Sequence, residues 1–129
     1  MFEVETDDRV AVVDVTDRVA DEVPADASGV CTVFVPHTTA GVVVNEAESG
    51  LLTDLEAHLE RVAPSDRDYR HDRIDDNAAA HLRAVALGES VSVPVEGGDL
   101  ALGTWQSVLF VDCDGPRTRR VEVAVADAV

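Results

Sequence analysis

A chain of 129 residues with 46% apolar side chains is long enough for one domain with a substantial core. Its 26 acidic residues against 10 arginines, with no lysine, leave a formal net charge of −16; this repels nucleic acid and anionic membranes and excludes both as expected partners. The acids are spread as single residues and short pairs, the pattern of a solvated surface suited to concentrated salt, so most carry no expected chemistry. Along the chain, Met1–Val10 is acidic where a secretory leader is basic, and no apolar run approaches the ~20 residues that span a bilayer. A cytoplasmic location is expected. The stretch 9–16 reads as a strand, 16–23 as a short helix opened by Thr16, and Pro24 forces a turn. Residues 30–36 are strongly β-type, and 41–46 begin another short β run. Cys31 and Cys113 sit in such apolar runs with no CxxC spacing and read as buried free thiols.

The period changes after Glu48. Leu51, Leu52, Leu55, Leu59 and Val62 recur mostly at three- and four-residue spacing, which predicts an amphipathic helix ended by Pro64. Residues 64–76 are polar and lack either period, and a loop of that length is often functional. Asn77 is placed to cap a helix over 78–87, with Gly88 as its stop. Residues 90–95 alternate, Glu96–Asp99 is a hairpin turn, and 100–113 read as one long returning strand. A turn at Asp114–Pro116 leads into a final alternating strand. The whole predicts a single α+β domain with a mostly antiparallel, sandwich-like sheet and two main helices.

Candidate chemistry follows from polar residues at element ends. His37 follows Pro36 at a strand end; it is either satisfied by the neighbouring threonines or projects into a site. His71 lies in the polar loop and His81 near the start of the second helix, whereas His58 reads as a surface residue. If His37, His71 and His81 converge, three imidazoles with an open fourth position suit a divalent metal, zinc rather than magnesium. Glu46, just after an apolar run, reads as a general base, a metal ligand or a carboxylate favoured by a helix dipole. Trp105 reads as core or as part of a site, and Gln106 needs partners if buried. Arg117 and Arg119 share the apolar face of the last strand with Val121, and Arg120 shares the solvent face with Glu122. Either these arginines balance an acidic surface or one of them grips a phosphate or carboxylate.

The stretches 36–46, 68–72, 76–84, 87–106 and 114–123, with LALGTWQ followed by DGPR, resemble the YjbQ-like family, whose members are described as secondary thiamine-phosphate synthases. The resemblance implies a homotrimer of compact α+β chains that joins a hydroxymethylpyrimidine diphosphate to a thiazole phosphate and releases pyrophosphate. It implies a small phosphorylated substrate, acted on by Glu46, His37 and Asn77 and held by Asn45, Thr104, Trp105, Gln106 and Arg117. His37, His71 and His81 would hold the metal. The chain departs from the pattern at Ala79 and at Asp112, where the family often has Asp or Pro and Glu respectively. The same histidines also suit a metal-dependent hydrolase of a small phosphorylated or carbonyl compound, or a non-enzymatic trimeric protein that binds a metal or small ligand.

Overall fold

The computed structural model describes residues 1–128. In chain order these form β1 (Phe2–Glu5), β2 (Ala11–Asp14), α1 (Thr16–Ala20), β3 (Gly29–Phe34), β4 (Ala40–Asn45) and α2 (Ser49–Val62). A 3-10 turn (Arg70–Arg73), α3 (Ala78–Leu87), β5 (Ser90–Glu96), β6 (Asp99–Leu100), β7 (Ser107–Asp112) and β8 (Thr118–Asp127) follow. Every pairing is antiparallel, in a five-stranded sheet of order β1-β8-β3-β5-β6 and a three-stranded sheet of order β2-β7-β4. The expected α+β class, with two substantial helices and mostly antiparallel strands, is what the chain adopts.

The sandwich follows from strand alternation. Cys31, Val33, Val95 and Val121 of the larger sheet share one buried cluster with Val42, Val108 and Phe110 of the smaller. Val111 faces the other way and packs with Leu59 of α2, Ala80 of α3 and Cys113. β7 is therefore covered on both faces, which is why its sequence is an unbroken apolar run. Both cysteines are buried free thiols; burial pushes Cys113 up to about 11 and raises Cys31.

Three local expectations change. β1 was not anticipated, because its alternating glutamates read as plain surface; it is held by β8, with Val4 opposite Arg119. The long strand expected over 100–113 is broken. β6 ends at Leu100 in the larger sheet, 101–106 cross over, and β7 starts in the smaller one. A tight turn makes the crossing, with Gln106 N–H on Gly103 O at 3.0 Å and Gly103 N–H on Gln106 Oε1 at 2.8 Å. Asn77 occupies the N-cap position of α3 but makes no side-chain cap; Asp72 Oδ1 accepts from the Ala78 N–H at 3.1 Å instead.

Two anchors fix α3. At its carboxyl end Gly88 O accepts from the Val42 N–H at 3.1 Å, and a Cβ on Gly41 would lie 2.6 Å from Gly88 O and 2.8 Å from Leu87 Cβ. Glycine at 41 is what lets α3 close on the edge of β4. Buried Arg83 donates to Leu59 O and Ala63 O at 3.1 Å each, tying α3 to the end of α2, and pairs with Glu60. Of the apolar stripe on α2 only Leu59 is fully buried. Among the described residues no helix is long and apolar enough to cross a membrane.

Candidate functional site

The β4–β7 register sorts the candidate residues. Ala40 stands opposite Asp112, and Asn45 opposite Ser107. Residues before β4 and after β7 therefore gather at one end of the small sheet, and residues after β4 and before β7 at the other. Six residues of strand separate the ends by roughly 20 Å.

At the first end His37, Asn77, His81 and Arg117 line one polar cleft of about 430 Å³, with Thr39, Asp114 and Arg119. His37 and His81 also share the adjoining, more apolar cleft beside Val85. The floor is a buried ion pair. Asp112 has no exposed surface and accepts from Arg119 Nε at 3.0 Å and, through its other oxygen, from Arg119 Nη2 at 2.8 Å. It also accepts from Thr6 Oγ1 at 2.8 Å and from the Asp114 N–H at 2.9 Å. Burial works to raise the Asp112 pKa, but the bonds from Arg119, Asp114 and Thr6 and the Arg119 charge outweigh it and hold it below the ordinary carboxylate range. Arg119 Nη2 continues to Thr39 Oγ1 at 2.7 Å.

A second network lies above the first. Buried Asp114 pairs with Arg9 and with Arg117, whose Nη2 is 3.0 Å from Asp114 Oδ2 and whose Nε donates to Asp114 O at 2.8 Å. This leaves Nη1 of Arg117 for a ligand. Asn77 Nδ2 donates to Asp114 Oδ2 at 3.2 Å, so the carboxylate fixes the amide with Oδ1 turned to His71 Nε2, 3.0 Å away. His71 accordingly carries a hydrogen on Nε2. Its ring meets His81 edge to face, with centroids 4.7 Å apart and planes at 76°. Three guanidiniums (Arg9, Arg117, Arg119) against two carboxylates (Asp112, Asp114) leave one positive charge in the floor, with Asp75 on the rim.

His37 accepts from the Arg120 N–H through Nε2 at 2.9 Å, so the neutral ring holds its hydrogen on Nδ1. Burial lowers its pKa, and the Arg119 charge lowers it further. The ring is thereby kept in its neutral, donating form. The three histidines are brought to one end of the molecule, His37 and His81 onto one cleft and His71 against His81. They do not surround one point as a zinc centre requires: among the described residues no three His, Cys, Asp or Glu side chains do. His71 Nε2 is a donor to Asn77 and His37 Nε2 is taken by a backbone N–H. The donor set in this arrangement does not fit a three-histidine metal.

The other half of the candidate set lies at the far end. Asn45 Oδ1 accepts from the Glu46 N–H at 2.8 Å, and Glu46, Thr104 and Trp105 line a shallow cleft with Asp14 and Glu48. Trp105 is 74% exposed, not core. Gln106 folds back on Gly103 and braces the crossover. Asp112, Asp114, Thr39 and Arg9 were missed as site residues, although an aspartate interrupting the run VLFVDC was a signal. Arg119, on the apolar face by alternation, is the buried arginine, while Arg120 pairs with Glu122 at 2.9 Å on the surface.

A family profile described as UPF0047 protein YjbQ-like matches residues 1–128. The chain belongs to the YjbQ-like UPF0047 family. It is 53% identical over 115 residues to a UPF0047 protein of Archaeoglobus fulgidus, covering 89% of this chain and 90% of that one. It is 46% identical over 123 residues to one of Methanothermobacter thermautotrophicus, covering 94% and 86%. Among solved structures, a hypothetical protein of Aeropyrum pernix K1 superposes with a TM-score of 0.94 at 41% identity, over 98% of this chain and 96% of that one. An uncharacterized conserved protein of Clostridium acetobutylicum does so at 0.91 and 36%, over 97% and 98%.

The resemblance to this family is thereby established, but the activity expected from it is not. The matching profile and the relatives named above are described without a reaction. Neither thiamine-phosphate synthesis nor the alternatives, a His-ligated hydrolase and a trimeric metal- or ligand-binding protein, is supported for this chain. The site gives a physical reason as well. A departing diphosphate is usually held through magnesium on free carboxylates, and both buried carboxylates here are already taken by arginines.

Proposed function

We propose that the cleft between His37, His81 and Arg117 is the active site of an enzyme that moves protons on a small substrate bearing a phosphate or carboxylate. The observation that carries this reading is the convergence of two imidazoles, a fixed amide and a guanidinium on one cleft of about 430 Å³ over a locked Asp112–Arg119 pair. Arg117, with Nη1 free of Asp114, takes the anionic group. His37, neutral with its hydrogen on Nδ1, donates to oxygen as charge develops there. His81, on the same cleft, takes or returns the proton. His71 and Asn77 are positioning residues: Asp114 orients Asn77, Asn77 holds His71, and His71 stands edge-on to His81.

The test is a panel of small phosphorylated and carboxylate metabolites incubated with the protein in D2O, with loss of carbon-bound hydrogen followed by NMR. Solvent exchange or conversion of at least one compound is expected. His81→Ala should slow it on the order of 10²–10⁴-fold, and Arg117→Ala should weaken binding. Compounds that bind in the cleft without exchange or conversion would overturn the reading.

A further inference from the structure

The cleft of the proposed active site continues past its histidines. His37, Thr38 and His81 line both the polar cleft that holds Arg117 and the adjoining cleft of about 350 Å³. The two clefts follow one face of α3. Asn77, His81, Ala84 and Val85 stand at i, i+4, i+7 and i+8, the spacing that keeps side chains on one side of a helix. At 1.5 Å per residue, Asn77 to Val85 covers about 12 Å and His81 to Val85 about 6 Å. His81 therefore lies midway along a groove. The character of the groove changes along that path. At the amino end of α3 it holds Arg117. Beyond His81 its walls are Ala40, Ala84 and Val85, and Val85 is 80% exposed. At the carboxyl end, just after Gly88 stops the helix, stands Glu89. Its backbone is pinned, with Glu89 O accepting from the Val35 N–H at 2.8 Å. Its carboxylate forms no ion pair among the described residues. Most acids on this chain are plain surface; Glu89 differs in sharing a cleft with both imidazoles. The helix has the same polarity as the groove, with its positive dipole end towards Arg117 and its negative end towards Glu89.

We infer that the substrate is an amphipathic molecule charged at both ends and laid along α3. Its phosphate or carboxylate sits on Arg117, its apolar body lies past His81 against Ala40, Ala84 and Val85, and a cationic nitrogen at its far end meets Glu89. Glu89 is then a specificity-determining residue: it selects the nitrogen and takes no part in moving protons. A carboxylate at the end of an apolar cleft disfavours a second anion there, which also sets the direction in which the substrate lies. The anion end rests on the acid–base reading of the cleft; the apolar body and the cationic nitrogen are added by Val85 and Glu89.

The test is a binding series on the full chain, read from the His37 and His81 imidazole signals by NMR at fixed ionic strength. The probes are inorganic phosphate, ethyl-, butyl- and hexylphosphonate, and the ω-amino counterpart of each alkyl compound. Affinity should rise with chain length by roughly 2–4-fold per methylene until the cleft is filled, and NOE contacts should join the chain to the Val85 methyl groups. The ω-amino hexyl compound should outbind hexylphosphonate by roughly 2–5-fold, the gain of a partly exposed ion pair. Glu89 and Val85 are both exposed, so Glu89→Gln and Val85→Ser should fold as the wild type does. Glu89→Gln should abolish the preference for the amino compound, and Val85→Ser should blunt the gain with length. Each should leave inorganic phosphate binding unchanged. Affinity that is flat in chain length overturns the inference, and so does an amino preference that is absent or survives in Glu89→Gln; phosphate binding through Arg117 would still uphold the acid–base cleft. If inorganic phosphate does not bind, or binds equally in Arg117→Ala, the acid–base cleft falls and the inference falls with it.

Discussion

Arg119→Met removes one half of the ion pair under the cleft and leaves the other buried. Asp112 has no exposed surface, and Arg119 is only 4% exposed. Without the guanidinium, Asp112 keeps the bonds from Thr6 and the Asp114 N–H but loses two charge-assisted ones and its counter-charge. Stranding a buried charge in this way costs about 3–5 kcal/mol, a large share of the 5–15 kcal/mol typical of a domain. For a chain of this size each kcal/mol moves the melting temperature by roughly 3–6 °C, so a fall of about 9–30 °C is expected. Asp112→Leu/Arg119→Met removes both charges and should recover much of the loss, because replacing a whole buried pair by apolar groups is often near neutral. Thermal melts followed by circular dichroism measure all three proteins. His37 supplies a second readout, since the Arg119 charge helps to lower its pKa, which should rise in Arg119→Met. A fall below about 5 °C in the single variant, with His37 unmoved, would refute the account of the floor as a dry, locked pair.

Stability should also depend on pH through His37. Its folded pKa is depressed, so the fold favours the neutral ring; that contribution is fully present above the unfolded value of about 6.5 and is lost as pH falls through the folded one. Urea midpoints between pH 7.5 and pH 5 should fall in the wild type and fall less in His37→Gln. Asp112 acts lower down: its contribution is complete above about pH 4 and is lost as pH drops further through its depressed value. Gly41→Ala places a methyl against Gly88 O and Leu87 Cβ and should cost about 1–3 kcal/mol by urea unfolding, as overpacking does. Because the shift pushes α3 from β4, the His37 and His81 NMR signals should move with it.

The fold was legible where the pattern was local. β3, α2, α3 and β8 follow from period and from the breakers Pro64 and Gly88. β1 was hidden because four residues with two glutamates do not announce a strand until β8 lies beside them. The break between β6 and β7 was hidden because apolar residues bury equally well in either sheet, and only the crossover decides which. The site was half legible. His37, His71, Asn77, His81 and Arg117 meet, but Asn77 acts on His71 and Asp114 instead of capping its helix, and that exchange depends on Asp72 being near. Asn45, Glu46, Thr104 and Trp105 stand at element ends, as His37 and Arg117 do. Sequence order could not reveal that six residues of β4 hold them a sheet's length away. The buried role of Arg119 was written in its alternation with Val121; its partner Asp112 read as a departure from a family pattern rather than as the floor of a site.

The most direct test of the central claim, that His37, His81 and Arg117 face one anion in one cleft, is an imidazole NMR titration with inorganic phosphate. The His37 and His81 signals should shift together along one binding curve while exposed His58 stays still, and Arg117→Ala should weaken that curve. Shifts of His37 and His81 on separate curves, or a curve unchanged in Arg117→Ala, would contradict it.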